Sequence, residues 1–110
     1  MGDDFSDFEH AVQDALDSLP ADLRSRMSNV EVLVEDEPAA GQPLLGLYQG
    51  VPLTRRGTGY SGALPDKITV YRRPLLAACN TQRELRDEIR LTVLHEIGHY
   101  FGIEDADLPF

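Results

Sequence analysis

The feature that most constrains how this chain folds is a helix signal between residues 81 and 101. Thr81-Gln82-Arg83-Glu84 is a capping box, so a long helix is expected over about 82 to 101. At 100° per residue, Leu85, Ile89, Val93, Leu94, Ile97 and Phe101 sweep a broad apolar arc, while Glu88, Thr92, His95, Glu96 and His99 share the remaining side. From Leu91 to Phe101 the strongly polar side chains are only Thr92, His95, Glu96, His99 and Tyr100. This half of the helix therefore calls for enclosure by the rest of the chain. Its imidazoles and carboxylate then need partners, because burying such groups unpaired is costly. Gly98, opposite the histidines, leaves room for another element to approach.

The polar side reads His95-Glu96-Ile97-Gly98-His99-Tyr100-Phe101-Gly102-Ile103-Glu104-Asp105, or H-E-x-x-H-x-x-G-x-x-D. Two histidines four residues apart lie on one helix face, a ready pair of Zn2+ ligands. Gly102 lets the chain leave the helix sharply, and Asp105 is then the expected third metal ligand. Glu104 and Asp107 compete with it for that role. Three protein ligands plus an open position is the coordination of a catalytic zinc. Glu96 is the candidate catalytic residue, taking a proton as general base and returning it to a leaving amine as general acid. The implied reaction is peptide-bond hydrolysis through a metal-activated water. The oxyanion needs a further donor, and Tyr48, Tyr60, Tyr71 and Tyr100 are candidates between which the sequence does not choose. The bland alternative is a chance histidine pair on a solvated helix. Against it stand the independent cap, the apolar surroundings and the extension of the motif to Asp105.

The 110 residues suffice for a single domain, 1–110, with 42% hydrophobic residues to build a core. The formal net charge of −9 argues against nucleic acid or anionic membranes as partners, since both need a basic surface. One cysteine, Cys79, allows no intrachain disulfide and reads as a small core residue. The acidic start, Met1-Gly2-Asp3-Asp4, lacks a signal-peptide core, so a cytoplasmic location is expected.

Ser6-Asp7-Phe8-Glu9 is another capping box, opening a helix of about 7 to 19 along Phe8, Val12, Leu16 and Leu19. Pro20 stops it, and Ala21 to Met27 fits a short second helix. His10 reads as a surface or helix-packing residue. Val30, Val32 and Val34 alternate like one face of a strand, Leu44 to Tyr48 is a second strand candidate, and Lys67 to Arg72 a third. Pro74 to Asn80 fits a short helix. The fold class is α/β, a small mixed sheet flanked by helices, with strand order left open. The strand around Ile68 to Tyr71 is a candidate edge for a peptide to join. Arg55 and Arg56, in a Gly-rich loop, read as a solvated pair, with attraction of an acidic substrate as the sharper alternative.

The motif resembles that of zincin metallopeptidases and, through Gly102 and Asp105, their metzincin-like branch. The whole chain is similar to a family of very small bacterial zincin-like metallopeptidases. Three stretches carry that resemblance: Leu45-Gly46-Leu47-Tyr48-Gln49-Gly50-Val51-Pro52-Leu53, Pro65-Asp66-Lys67-Ile68-Thr69-Val70-Tyr71-Arg72, and Thr92-Val93-Leu94-His95-Glu96-Ile97-Gly98-His99. The resemblance implies a compact α/β domain with the motif helix near its C-terminus. Two departures from larger metzincins stand out. Asp105 replaces a histidine, and both methionines, Met1 and Met27, precede the motif, so no downstream methionine turn is expected.

Three functions compete: a zinc peptidase acting on a peptide or protein substrate, a metal-dependent hydrolase of another substrate such as RNA, and a non-catalytic metal-containing module that binds protein. The glutamate after His95 and the negative charge favour the first over the second.

Overall fold

A computed structural model of the chain describes residues 5–52, 54, 56–57 and 64–103. Helix α1 spans Phe5–Asp17 and α2 Ala21–Arg26, followed by strand β1, Val30–Glu35. A 3-10 turn, Ala39–Gly41, leads to β2, Gly46–Gln49. Strand β3, Asp66–Tyr71, runs straight into α3, Arg72–Ala78, and α4 covers Gln82–Tyr100.

The three strands form one mixed sheet in the order β1-β3-β2. Strand β3 pairs parallel with β1, Val32 opposite Ile68, and antiparallel with β2, Tyr48 opposite Ile68. Its central place explains its composition. Ile68, Thr69, Val70 and Tyr71 are all buried, the continuous pattern of a strand covered on both faces. The expectation that Ile68 to Tyr71 forms an exposed edge is therefore corrected: β1 flanks β3 on one side and β2 on the other. In β1 the predicted alternation is present, with Val30, Val32 and Val34 packed on the core and Glu31 and Glu35 exposed.

Helix α4 packs against α1, α3, β2 and β3. Leu85, Ile89, Val93, Ile97 and Tyr100 of α4 meet Phe8, Val12 and Ala15 of α1 and Ile68 and Val70 of β3 in one buried cluster. Fully burying each such large apolar side chain contributes roughly 1.5–3 kcal/mol relative to leaving it in water. Cys79 is half-buried against this cluster, and burial, with Glu88 and Glu84 nearby, pushes its thiol pKa up. His10 is exposed on α1.

Helix α1 extends N-terminal of Ser6, so Ser6 lies in the first turn and not at the cap. Its backbone N–H there has no intrahelical partner to lose. Helix α3 begins two residues before Pro74, which sits in the first turn where its missing N–H costs nothing. Among the described residues no helix is long and apolar enough to cross a membrane.

Candidate metal centre and substrate cleft

The site grows out of how α4 is capped at each end. Thr81 accepts a hydrogen bond from the Glu84 N–H at 3.0 Å, and the Glu84 carboxylate accepts from the Asn80 N–H at 2.7 Å. The reciprocal bond thus comes from the residue before the cap, one position earlier than in the standard capping box. At the other end the Gly102 N–H donates to the His99 carbonyl and the Ile103 N–H to the Gly98 carbonyl, both at 2.9 Å. These two bonds are a Schellman motif, and Gly102 has the positive φ it demands, 87°. A Cβ at Gly102 would run into the Thr54 hydroxyl, so glycine also admits the loop after β2. The sharp helix exit expected at Gly102 is present.

Between these ends the motif presents its polar side as expected. His95, Glu96 and His99 line a cleft of about 490 Å³ with Leu44, Gly46, Leu47, Tyr48, Pro52, Gly102 and Ile103. The two imidazole rings sit edge to face with centroids 4.9 Å apart. Glu96 is only 9% exposed. The opposite wall is β2. Its approach to α4 depends on Gly46, where a Cβ would lie 2.7 Å from Thr92 Cγ2 and 3.3 Å from Glu96 Cγ. Any larger residue there would separate the strand from the helix that carries the motif.

Two imidazoles on one helix face, opening with Glu96 to a cleft otherwise lined mainly by apolar side chains, fit a zinc ion as two of its ligands. Among the described residues no third His, Cys, Asp or Glu completes the group. The expected third ligand, Asp105, lies outside the described residues, as do its competitors Glu104 and Asp107.

The tyrosines divide. Tyr48 lines the cleft, but its hydroxyl donates to Asp66 Oδ2 at 2.6 Å. Burial and then the Asp66 carboxylate drive its pKa well above the usual phenol range. Tyr71 is buried and its pKa is raised, by burial first and then by the charges of Glu35 and Glu96. The Tyr100 hydroxyl donates to the Ser28 carbonyl and accepts from the Ser28 N–H, both at 2.6 Å, which ties α4 to the segment before β1. Tyr60 lies outside the described residues.

One functional cluster escaped the sequence reading. Arg56 is not a solvated loop residue. Its guanidinium pairs with Asp66 Oδ2 at 2.7 Å, with the side chains only 8% and 3% exposed. It also donates to the carbonyls of Val51 and Ser28 and lies 5.2 Å from the Tyr100 ring centroid. The Val51 N–H donates to Asp66 Oδ1. Burial alone would raise the Asp66 pKa, but hydrogen bonds from Tyr48, Arg56 and Val51 outweigh it and hold the carboxyl below its ordinary 3.8. Asp66 thereby anchors both Tyr48 and the loop after β2, which together make one wall of the cleft. The available signal was Asp66 itself, an acid opening a strand otherwise buried nearly throughout. Arg55 lies outside the described residues, whereas Arg72 and Arg73 pair with Asp36 and Glu37 at 3.1 and 3.6 Å.

Residues 27–109 match the family of zincin-like metallopeptidases. The chain belongs to that family. Among solved structures it resembles a conserved hypothetical protein from Thermo thermophilus, with a TM-score of 0.64 and 24% identity over 90% of this chain and 94% of that one. The likeness shows a shared fold. No curated protein matches the chain.

Proposed function

We propose that this family member is a zinc-dependent peptidase. The observation that carries the reading is the placement of Glu96, buried beside the two motif histidines and opening onto the same cleft. His95 and His99 would hold zinc through their imidazoles, with Asp105 as third ligand and Glu104 or Asp107 as alternatives. When bound, zinc supplies Lewis acidity toward water and the scissile carbonyl. Glu96 accepts a proton from the attacking water and delivers it to the departing amine.

Strand β2 supplies the rail for an extended substrate. Among the described residues it pairs with β3 on one side only. Leu45 accepts from the Tyr71 N–H, so antiparallel alternation turns the backbone groups of Gly46 and Tyr48 away from β3, on the side open to a substrate strand. A polypeptide added there gains main-chain hydrogen bonds next to Glu96. The formal charge of −9 opposes the RNA alternative, because a phosphate backbone would be repelled.

Glu96→Gln tests the reading. It should leave zinc content unchanged and lower peptide turnover by about 10²–10⁴-fold, the usual worth of a general base. Turnover retained in that variant would remove Glu96 from the role.

A further inference from the structure

The cleft does not stop at His95. A second hollow of about 420 Å³ continues along α4 toward its N-terminus, with Leu44, Leu45, Leu91 and Glu88 among its lining residues. Leu44, Gly46, His95 and Glu96 border both spaces, so the two form one groove along β2. Its walls are mostly apolar, with Glu96 where it joins the first cleft and Glu88 at its far end. Leu45 and Leu91 are 36% and 40% exposed, two of the few large hydrophobic side chains left open to solvent among the described residues. Glu88 is half-buried and makes no salt bridge or hydrogen bond among the described residues, while other carboxylates such as Asp36, Glu37 and Asp66 each hold an arginine. Glu88 stands two turns before Glu96 on the same helix face, about 12 Å along the axis.

We infer that this hollow is a specificity subsite for a lysine or arginine side chain of a polypeptide substrate, with the aliphatic stem on Leu44, Leu45 and Leu91 and the cation on Glu88. This inference rests on the peptidase reading for the substrate's backbone placement. A long cationic side chain is the occupant whose two halves match the two halves of the hollow: an apolar stem and a charged tip. An acidic side chain would meet Glu88 and Glu96 as like charges. An aliphatic one would cover the leucines but leave a half-buried carboxylate deprived of water. The net charge of −9 adds long-range attraction for basic chains.

The test uses quenched-fluorescent peptides identical except at one position, which carries Lys, Arg, norleucine or Glu and is moved along the peptide. Hydrolysis by the zinc-loaded full chain is measured beside binding of the same peptides, by fluorescence anisotropy, to the Glu96→Gln variant. At one position Lys and Arg should exceed norleucine by about tenfold in kcat/KM and in affinity. Glu88→Gln should bring the Lys-to-norleucine ratio to about one, and Glu88→Arg should turn the preference toward Glu. No basic preference at any position overturns the subsite, and so does a preference that survives in Glu88→Gln. A Glu88-dependent preference in binding with no peptide cut upholds the subsite and overturns the peptidase reading instead.

Discussion

The two walls of the cleft are built on opposite principles. The α4 wall carries His95, Glu96 and His99, and its geometry follows from neighbours in sequence: a capping box at Thr81 and Glu84, helical spacing, and a Schellman turn at Gly102. The wall made by β2 and the loop after it is held by residues distant in sequence. Asp66 bonds Tyr48, Val51 and Arg56, and Arg56 reaches back to Ser28. Local rules thus place the motif side chains, while long-range contacts set the width of the cleft. Damage to the first wall should remove chemistry and spare the fold. Damage to the second should do the reverse, or couple the two.

The largest effect expected from the second wall is that of Asp66→Ala. It leaves the Arg56 guanidinium buried without its carboxylate, and breaking a buried pair in this way costs about 3–5 kcal/mol. Urea unfolding should show that loss, and a variant within about 0.5 kcal/mol of wild type would mean the anchor is dispensable. Gly46→Val comes next. Its side chain would overlap Thr92, and overpacking of this kind costs about 1–3 kcal/mol. Pairing it with Thr92→Ala should recover part of the loss, and strict additivity of the two changes would place the clash elsewhere. The smallest effect is in pH dependence. The Asp66 carboxyl is held below its ordinary range in the folded chain, so its stabilisation is fully present above the unfolded pKa of about 3.9 and is lost as pH falls through the lower folded value. The stability gap between wild type and Asp66→Asn should therefore be constant near neutral pH and narrow below about pH 4. A gap unchanged into strong acid would show that the carboxylate charge contributes nothing.

The same division explains how much was legible in the sequence. Helix α4, its caps, the shared face of His95, Glu96 and His99, and the exit at Gly102 all follow from spacing within a single helix and its two ends. The strand segments were legible too, since Val30, Val32 and Val34 alternate and Ile68 to Tyr71 form a buried run. Strand order was not, because it depends on which apolar faces meet in space. Ile68 to Tyr71 reads as a candidate edge, whereas among the described residues the edges are β1 and β2, and β2, which borders the cleft, is a four-residue strand with Tyr48 as its one strong strand former. The burial of Arg56 is hidden from the sequence for a related reason. An arginine in a Gly-rich loop reads as solvated until its partner, Asp66 at the head of β3, folds over it. Asp105 follows Gly102 at the motif spacing, but its place beside the histidines lies beyond the described residues.

The proposed peptidase stands or falls on whether His95 and His99 in the α4 wall hold zinc. Elemental mass spectrometry of the purified full chain, beside a His95→Ala/His99→Ala variant, tests it most directly. Close to one zinc per wild-type chain and almost none in the variant, with both proteins folded, is the expected result. Equal zinc in the two proteins, or a wild type that takes up none when zinc is added, would contradict it.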